Sequence, residues 1–86
     1  MGARLMARYE LVWSDVPRDQ YRALSPEVKA QVDEALDRVL DDPEKFGNYD
    51  KSADQWSATF GGRMGFILYA ISHERVKVML LRIVAL

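Results

Sequence analysis

The sequence contains no cysteine and a single histidine, His73. Without thiols there can be no disulfide, no thiolate metal site and no cysteine nucleophile. One imidazole does not make a structural zinc site, so neither a metal nor a cofactor is expected. No uncharged apolar run reaches the roughly 18 residues that a membrane-spanning helix needs, so no membrane span is expected. Residues 1–7 are too short for a secretory signal and lack its apolar segment. They are expected to be flexible, with Met6 an alternative start, and the default location is the cytoplasm. No internal repeat or low-complexity segment is present, nor is there a P-loop, a paired-carboxylate site or a serine triad.

What remains is one domain of 86 residues, 49% hydrophobic, a globular composition. A chain of this size buries only roughly 60–65% of its unfolded surface, so its stability margin is thin. The net charge is −1, but it is unevenly distributed. Residues 15–54 carry eleven acids and six bases; residues 55–86 carry one acid, Glu74, and four bases, Arg63, Arg75, Lys77 and Arg82. A dedicated nucleic-acid binder usually has a stronger basic field, because phosphate contacts dominate its affinity.

The C-terminal third organises the chain. Trp56, Ala58 and Phe60 alternate with Ser57 and Thr59, the period-two pattern of a half-buried strand. Gly61-Gly62-Arg63-Met64-Gly65 supplies the positive φ angles of a hairpin turn. Phe66 to Ile71 is apolar throughout, Ser72-His73-Glu74-Arg75 forms a second turn, and Val76 to Ala85 is apolar apart from Lys77 and Arg82. A run of that kind predicts a strand buried on both faces, with helices on one side and something else, such as a partner, on the other.

The preceding segments read as a cover for this sheet. Tyr9, Leu11 and Trp13 share one face of a strand over Arg8–Trp13. Ser14 or Asp15 as N-cap, Pro17 in the first turn and a stripe of Val16, Gln20/Tyr21 and Leu24 predict a short helix over 15–24. Ser25-Pro26 starts a second helix. Its apolar face is Val28, Val32, Ala35, Leu36, Val39 and Leu40. Glu34 and Arg38 form an i,i+4 pair on its wet face, and Pro43 ends it. Residues 43–54 are expected to be a polar loop anchored to the core by Phe46 and Tyr49. The expected architecture is α+β: an N-terminal strand, a helical hairpin, then a three-stranded antiparallel meander, with the helices packed on one face of the sheet.

That element order resembles the RelE/ParE superfamily of bacterial type II toxins. The segment from Tyr9 to Phe46 is similar to the family's strand, short helix, second helix and proline exit. Trp56, the Gly61-Gly62 turn and Ile67-Leu68-Tyr69 resemble its hairpin, in which a tryptophan-led strand, a glycine turn and an I-x-Y strand recur. The resemblance implies a toxin, or a toxin-like protein, neutralised by a cognate antitoxin. RelE-like members cut mRNA in the ribosome with arginines, lysines and often a C-terminal tyrosine or histidine; ParE-like members lack that set and are linked to gyrase inhibition.

The site positions transfer only in part. Ser57 and Phe66 stand where family arginines are expected, and the sequence reaches Leu86 without the family's basic-aromatic tail. Lys51 matches a lysine that precedes the hairpin, and Arg63 and Arg82 are the candidates to replace the missing arginines. RNA cleavage requires an acid, a base and cations for the phosphorane charge. Lys51, Arg63, His73 and Arg82 are therefore the candidate catalytic residues, with His73 alone titrating near neutrality. Arg82, interrupting an apolar strand, is expected to need a partner such as Glu10 or an antitoxin. The alternative reading is a catalytically degenerate fold acting as a homodimer or protein-binding module.

Overall fold

The computed structural model describes residues 8–86; the expectations for residues 1–7 lie outside it. Seven elements follow in order: β1 (Glu10–Trp13), α1 (Asp15–Arg22), α2 (Pro26–Asp41), β2 (Asn48–Asp50), β3 (Gln55–Phe60), β4 (Gly65–Ser72) and β5 (Lys77–Ala85). The strands form one sheet in the order β1-β5-β4-β3-β2. β3, β4 and β5 are the expected antiparallel meander, and β1 joins it parallel to β5 with Glu10 opposite Lys77 and Trp13 opposite Leu80.

Both helices lie on one face, α1 against β5 and α2 against β3. Val32, Ala35, Leu36 and Val39 of α2 meet Ala58, Phe60, Ile67, Tyr69, Val78, Leu80 and Ile83 of the sheet in a single core. Burying the larger of these apolar side chains stabilises the fold by about 1.5–3 kcal/mol each. Ser25 caps α2 as its sequence predicts, its Oγ accepting the Val28 N–H at 3.3 Å. Asp42 leaves the helix with φ −157° and ψ 84°, outside the helical region that is disfavoured for a residue before proline. The Glu34–Arg38 pair forms at 2.9 Å.

Five expectations need correction. The polar loop contains a strand, β2, pairing antiparallel with β3 through Tyr49 opposite Trp56. It carries no apolar period, being a three-residue exposed edge strand set by a local turn instead of an apolar face. In that turn the Asp50 carboxylate accepts from the Ser52 N–H at 3.0 Å and from the Ser52 hydroxyl at 2.7 Å. Phe46 and Tyr49 do not anchor the loop, being 44% and 50% exposed. The anchor comes from the sheet: the buried Tyr69 hydroxyl donates to the Pro43 carbonyl at 2.7 Å.

β5 is not buried on both faces: Val78, Leu80 and Ile83 are buried, whereas Met79, Leu81 and Arg82 are exposed. On α1, Val16 is exposed and Pro17 is the buried residue of the first turn. Ser14 holds the N-cap position without a side-chain cap bond; its hydroxyl instead donates to the Leu80 carbonyl at 3.5 Å. Asp41 and Asp42, for which the sequence offers no role, take local partners: Asp41 lies 3.6 Å from Arg8, which also meets Asp37, and Asp42 accepts the Lys45 N–H at 3.3 Å.

Candidate functional site: the open face of the sheet

With both helices on one side, the pairing registers assign every residue of the opposite, uncovered face. One row across the sheet is Asp50, Gln55, Ala70, Met79 and Val12; the next is Asn48, Ser57, Leu68 and Arg82; the third is Thr59, Phe66 and Val84; and a fourth, at the β4–β5 turn, is Ser72, Lys77 and Glu10. Read by columns, the face divides. β2 and β3 contribute a polar strip of Asn48, Asp50, Gln55, Ser57 and Thr59. β4, β5 and β1 contribute an apolar strip of Phe66, Leu68, Ala70, Met79, Val84 and Val12. A groove of about 260 Å³ follows the boundary between them, with Asp50, Gln55, Ser57 and Thr59 on one wall and Phe66 and Leu68 on the other.

A β-bulge shapes the apolar strip. Leu68 pairs with Arg82 but Tyr69 pairs with Leu80, so Leu81 is an extra residue in β5. The bulge puts Leu81 and Arg82 side by side in the exposed part of the strand while Leu80 and Ile83 remain in the core. β1 has ended opposite Leu80, so beyond this point β5 lacks a strand on that side. A helix side chain supplies the missing acceptor: the Ile83 N–H donates to Gln20 Oε1 at 2.7 Å.

The four sequence-derived candidates occupy different places. Arg82 is on the open face, and its guanidinium has no ion-pair or hydrogen-bond partner among the described residues. It is exposed, not a buried charge, and Glu10 pairs with Lys77 at 3.7 Å instead. Arg63 lies in the β3–β4 turn, exposed, with φ +95°. His73 lies in the β4–β5 turn at the other end of β4, a strand length of about 23 Å away. Its Nδ1 is 3.1 Å from the Tyr9 hydroxyl and its Nε2 is 3.8 Å from Glu44, which ties it to the start of β1 and the exit of α2. Lys51 is exposed in the β2–β3 turn, at the sheet edge. The fold does not gather these four groups into one cleft. Among the described residues no group of three His, Cys, Asp or Glu side chains is placed to hold a metal ion.

The sheet wall behind the groove is aromatic. Tyr49, Trp56 and Tyr69 form a series with ring centroids 5.2 and 6.4 Å apart. Burial pushes the Tyr69 phenol up to about 12. Tyr49 is raised as well, first by its hydrogen bond to Asp54 at 2.6 Å. Both phenols are therefore neutral donors at physiological pH, and neither is set up as a base.

This architecture recurs in solved structures. A chain of the RelBE2 toxin–antitoxin complex from Mycobacterium tuberculosis superposes with a TM-score of 0.81 and 25% identity, over 93% of this chain and all of that one. The chain has the RelE toxin fold. The intact RelBE toxin–antitoxin complex of E. coli matches at a TM-score of 0.76 and 20% identity, covering 91% of this chain and 96% of that one. The isolated E. coli RelE toxin matches at 0.78 and 19%, covering 90% and 83%. No family model and no curated protein sequence matches. Among the described residues no helix is long and apolar enough to cross a membrane.

Sequence patterning missed the amphipathic division of the open face. Its signal was available: Ser57 and Thr59 on β3 and Phe66 and Leu68 on β4 are outward positions of adjacent strands, but only the pairing register shows that they are neighbours.

Proposed function

We propose that this chain is the toxin half of a type II toxin–antitoxin pair, acting in the cytoplasm and held inactive by a cognate antitoxin. The observation that carries the reading is the RelE-fold match over 93% of the chain and the whole of the M. tuberculosis chain. For its mode of action we favour contact with a protein target, of which gyrase is one candidate, over cleavage of ribosome-bound RNA. The separation of Lys51, Arg63, His73 and Arg82 supports this choice, because phosphoryl chemistry needs its acid, base and cations within hydrogen-bond reach of one phosphate. A fold kept as a non-toxic binding module or homodimer is the second reading, and the exposed apolar strip favours its binding-module form.

Induced expression tests the assignment. Growth arrest is expected, accompanied by altered plasmid supercoiling and intact mRNA. Arrest with cleaved mRNA, abolished by Arg82→Ala, would replace the protein-target mode with the nuclease mode. Unimpaired growth at high expression would overturn the toxin reading.

A further inference from the structure

We propose that the apolar strip of the open face, centred on Arg82, is a docking site for a protein segment that presents apolar side chains around one carboxylate. This deepens the toxin reading by stating the chemistry of the antitoxin, and rests on that reading only for the partner's name.

The charges of the face carry the argument. Four charged groups point outward from the sheet: Glu10, Lys77, Asp50 and Arg82. Glu10 and Lys77 pair with each other. Asp50 is bound by the Ser52 N–H and hydroxyl and lies three strands away from Arg82, at least about 14 Å. Among the described residues Arg82 is thus the one unmatched charge on the face, and its neighbours are apolar: Leu68 directly across, Leu81 beside it and Val84 two residues along. Met79 and Leu81 are 39% and 38% exposed, so the strip offers contiguous apolar surface of the kind that marks an interaction site.

Two other occupants fit less well. A nucleic-acid strand needs several cations in series, and this strip has one free. A second copy stacked strip on strip across a two-fold axis would bring two Arg82 side chains together without an acid between them, a like-charge contact that disfavours self-association. A carboxylate on an otherwise apolar segment satisfies Arg82 in bidentate fashion and covers Phe66, Leu68, Met79 and Val84 at the same time. The mild positive charge of residues 55–86 steers such an acid toward this half of the molecule.

A phage-displayed library of random linear peptides, selected on the purified full chain, tests the proposal. Enriched peptides are expected to carry an Asp or Glu flanked by apolar residues. As synthetic peptides they should bind at least about ten-fold more weakly to Arg82→Glu protein, with binding recovered when the peptide acid is changed to Lys. Met79→Lys should weaken the same peptides. Circular dichroism and thermal melting of both variants verify that each remains folded. Peptides lacking an acid, or binding indifferent to both substitutions, would overturn the proposal. So would tight binding of single-stranded RNA in the peptide's place, or an Arg82-independent dimer in sedimentation equilibrium. Growth arrest without peptide recognition at Arg82 would leave the toxin reading standing and remove this one. Peptide recognition without arrest would do the reverse.

Discussion

Gln20 on α1 accepts the backbone N–H of Ile83 on β5 at 2.7 Å, so a helix side chain completes a sheet that β1 has already left. The pair is 63 residues apart in sequence and sits immediately after the bulge that exposes Arg82. It therefore fixes the strand where the open face is most irregular. Gln20→Leu should leave the Ile83 N–H unpaired and cost about 1–3 kcal/mol. Hydrogen exchange would localise the effect: Ile83 loses protection while the buried β4 amides keep theirs. Gln20→Glu retains the acceptor and should restore most of that protection.

Tyr69 gives the fold an alkaline limit. Its phenol titrates at about 12 when folded against an ordinary 10.0. Between those values the unfolded chain has released a proton that the folded chain still holds, so stability falls as pH rises from 10 to 12. Denaturant titrations across that range should show a drop in wild type that is much reduced in Tyr69→Phe. Below pH 10 the same variant should be weaker by about 1–2 kcal/mol, because the Pro43 carbonyl loses its donor.

Asp50 gives an acid-side counterpart confined to the β2–β3 hairpin. Its pKa is lowered, chiefly by the Ser52 hydroxyl bond. A depressed carboxylate contributes stability above its ordinary value of 3.8 and loses it as pH falls through the lower folded value. Amide exchange in β2 should accelerate in that acid range ahead of the core strands. Asp50→Asn should remove the pH dependence without unfolding the domain.

Arg63 is a non-glycine residue at φ +95°. An L-residue at positive φ carries a backbone cost that glycine avoids, of order 1 kcal/mol. Arg63→Gly should therefore raise the melting temperature by about 4–8 °C per kcal/mol gained. If toxicity falls while stability rises, the arginine is held in that turn for its charge; unchanged toxicity would assign it to solvation.

The two faces of β5 should respond oppositely to substitution. Leu80→Ala, at 1% exposure, should cost about 2–5 kcal/mol. Met79→Lys, one residue away on the open face, should stay within about 0.5 kcal/mol of wild type. Urea denaturation of the two variants compares the faces directly.

These contrasts show what the sequence carried and what it did not. Helix α2 was readable from Ser25-Pro26, the apolar spacing from Val28 to Leu40, and Pro43, because each is a local signal with a local cause. The β3–β4 hairpin was readable from alternation and Gly61-Gly62. Strand β2 was not, because a three-residue polar strand held by Asp50 and by pairing to Trp56 has no apolar period. The apolar run of β5 predicted two covered faces; apolar residues can equally line an open surface, and hydropathy alone cannot tell a core from an interface. Arg82, singled out as the charge in an apolar strand, keeps that distinction, but as an exposed cation instead of a buried one. Lys51 is a candidate through its family position and Arg63 and His73 through their chemistry; the meander itself sets Arg63 and His73 at opposite ends of β4, as the element order implies.

The parallel pairing of β1 with β5 sets the order in which the molecule can be completed. Among the described residues β1 has one strand neighbour, and Glu10 meets Lys77 across 67 positions of chain. The hairpins β2–β3, β3–β4 and β4–β5 close over short spans, whereas β1 waits for a strand near the far end of the sequence. During synthesis β1 has no place in the sheet until β5 emerges. The Gln20–Ile83 bond and the Ser14 contact to Leu80 form no earlier, so a nascent chain lacks the finished edge around Arg82 until translation of β5 is done.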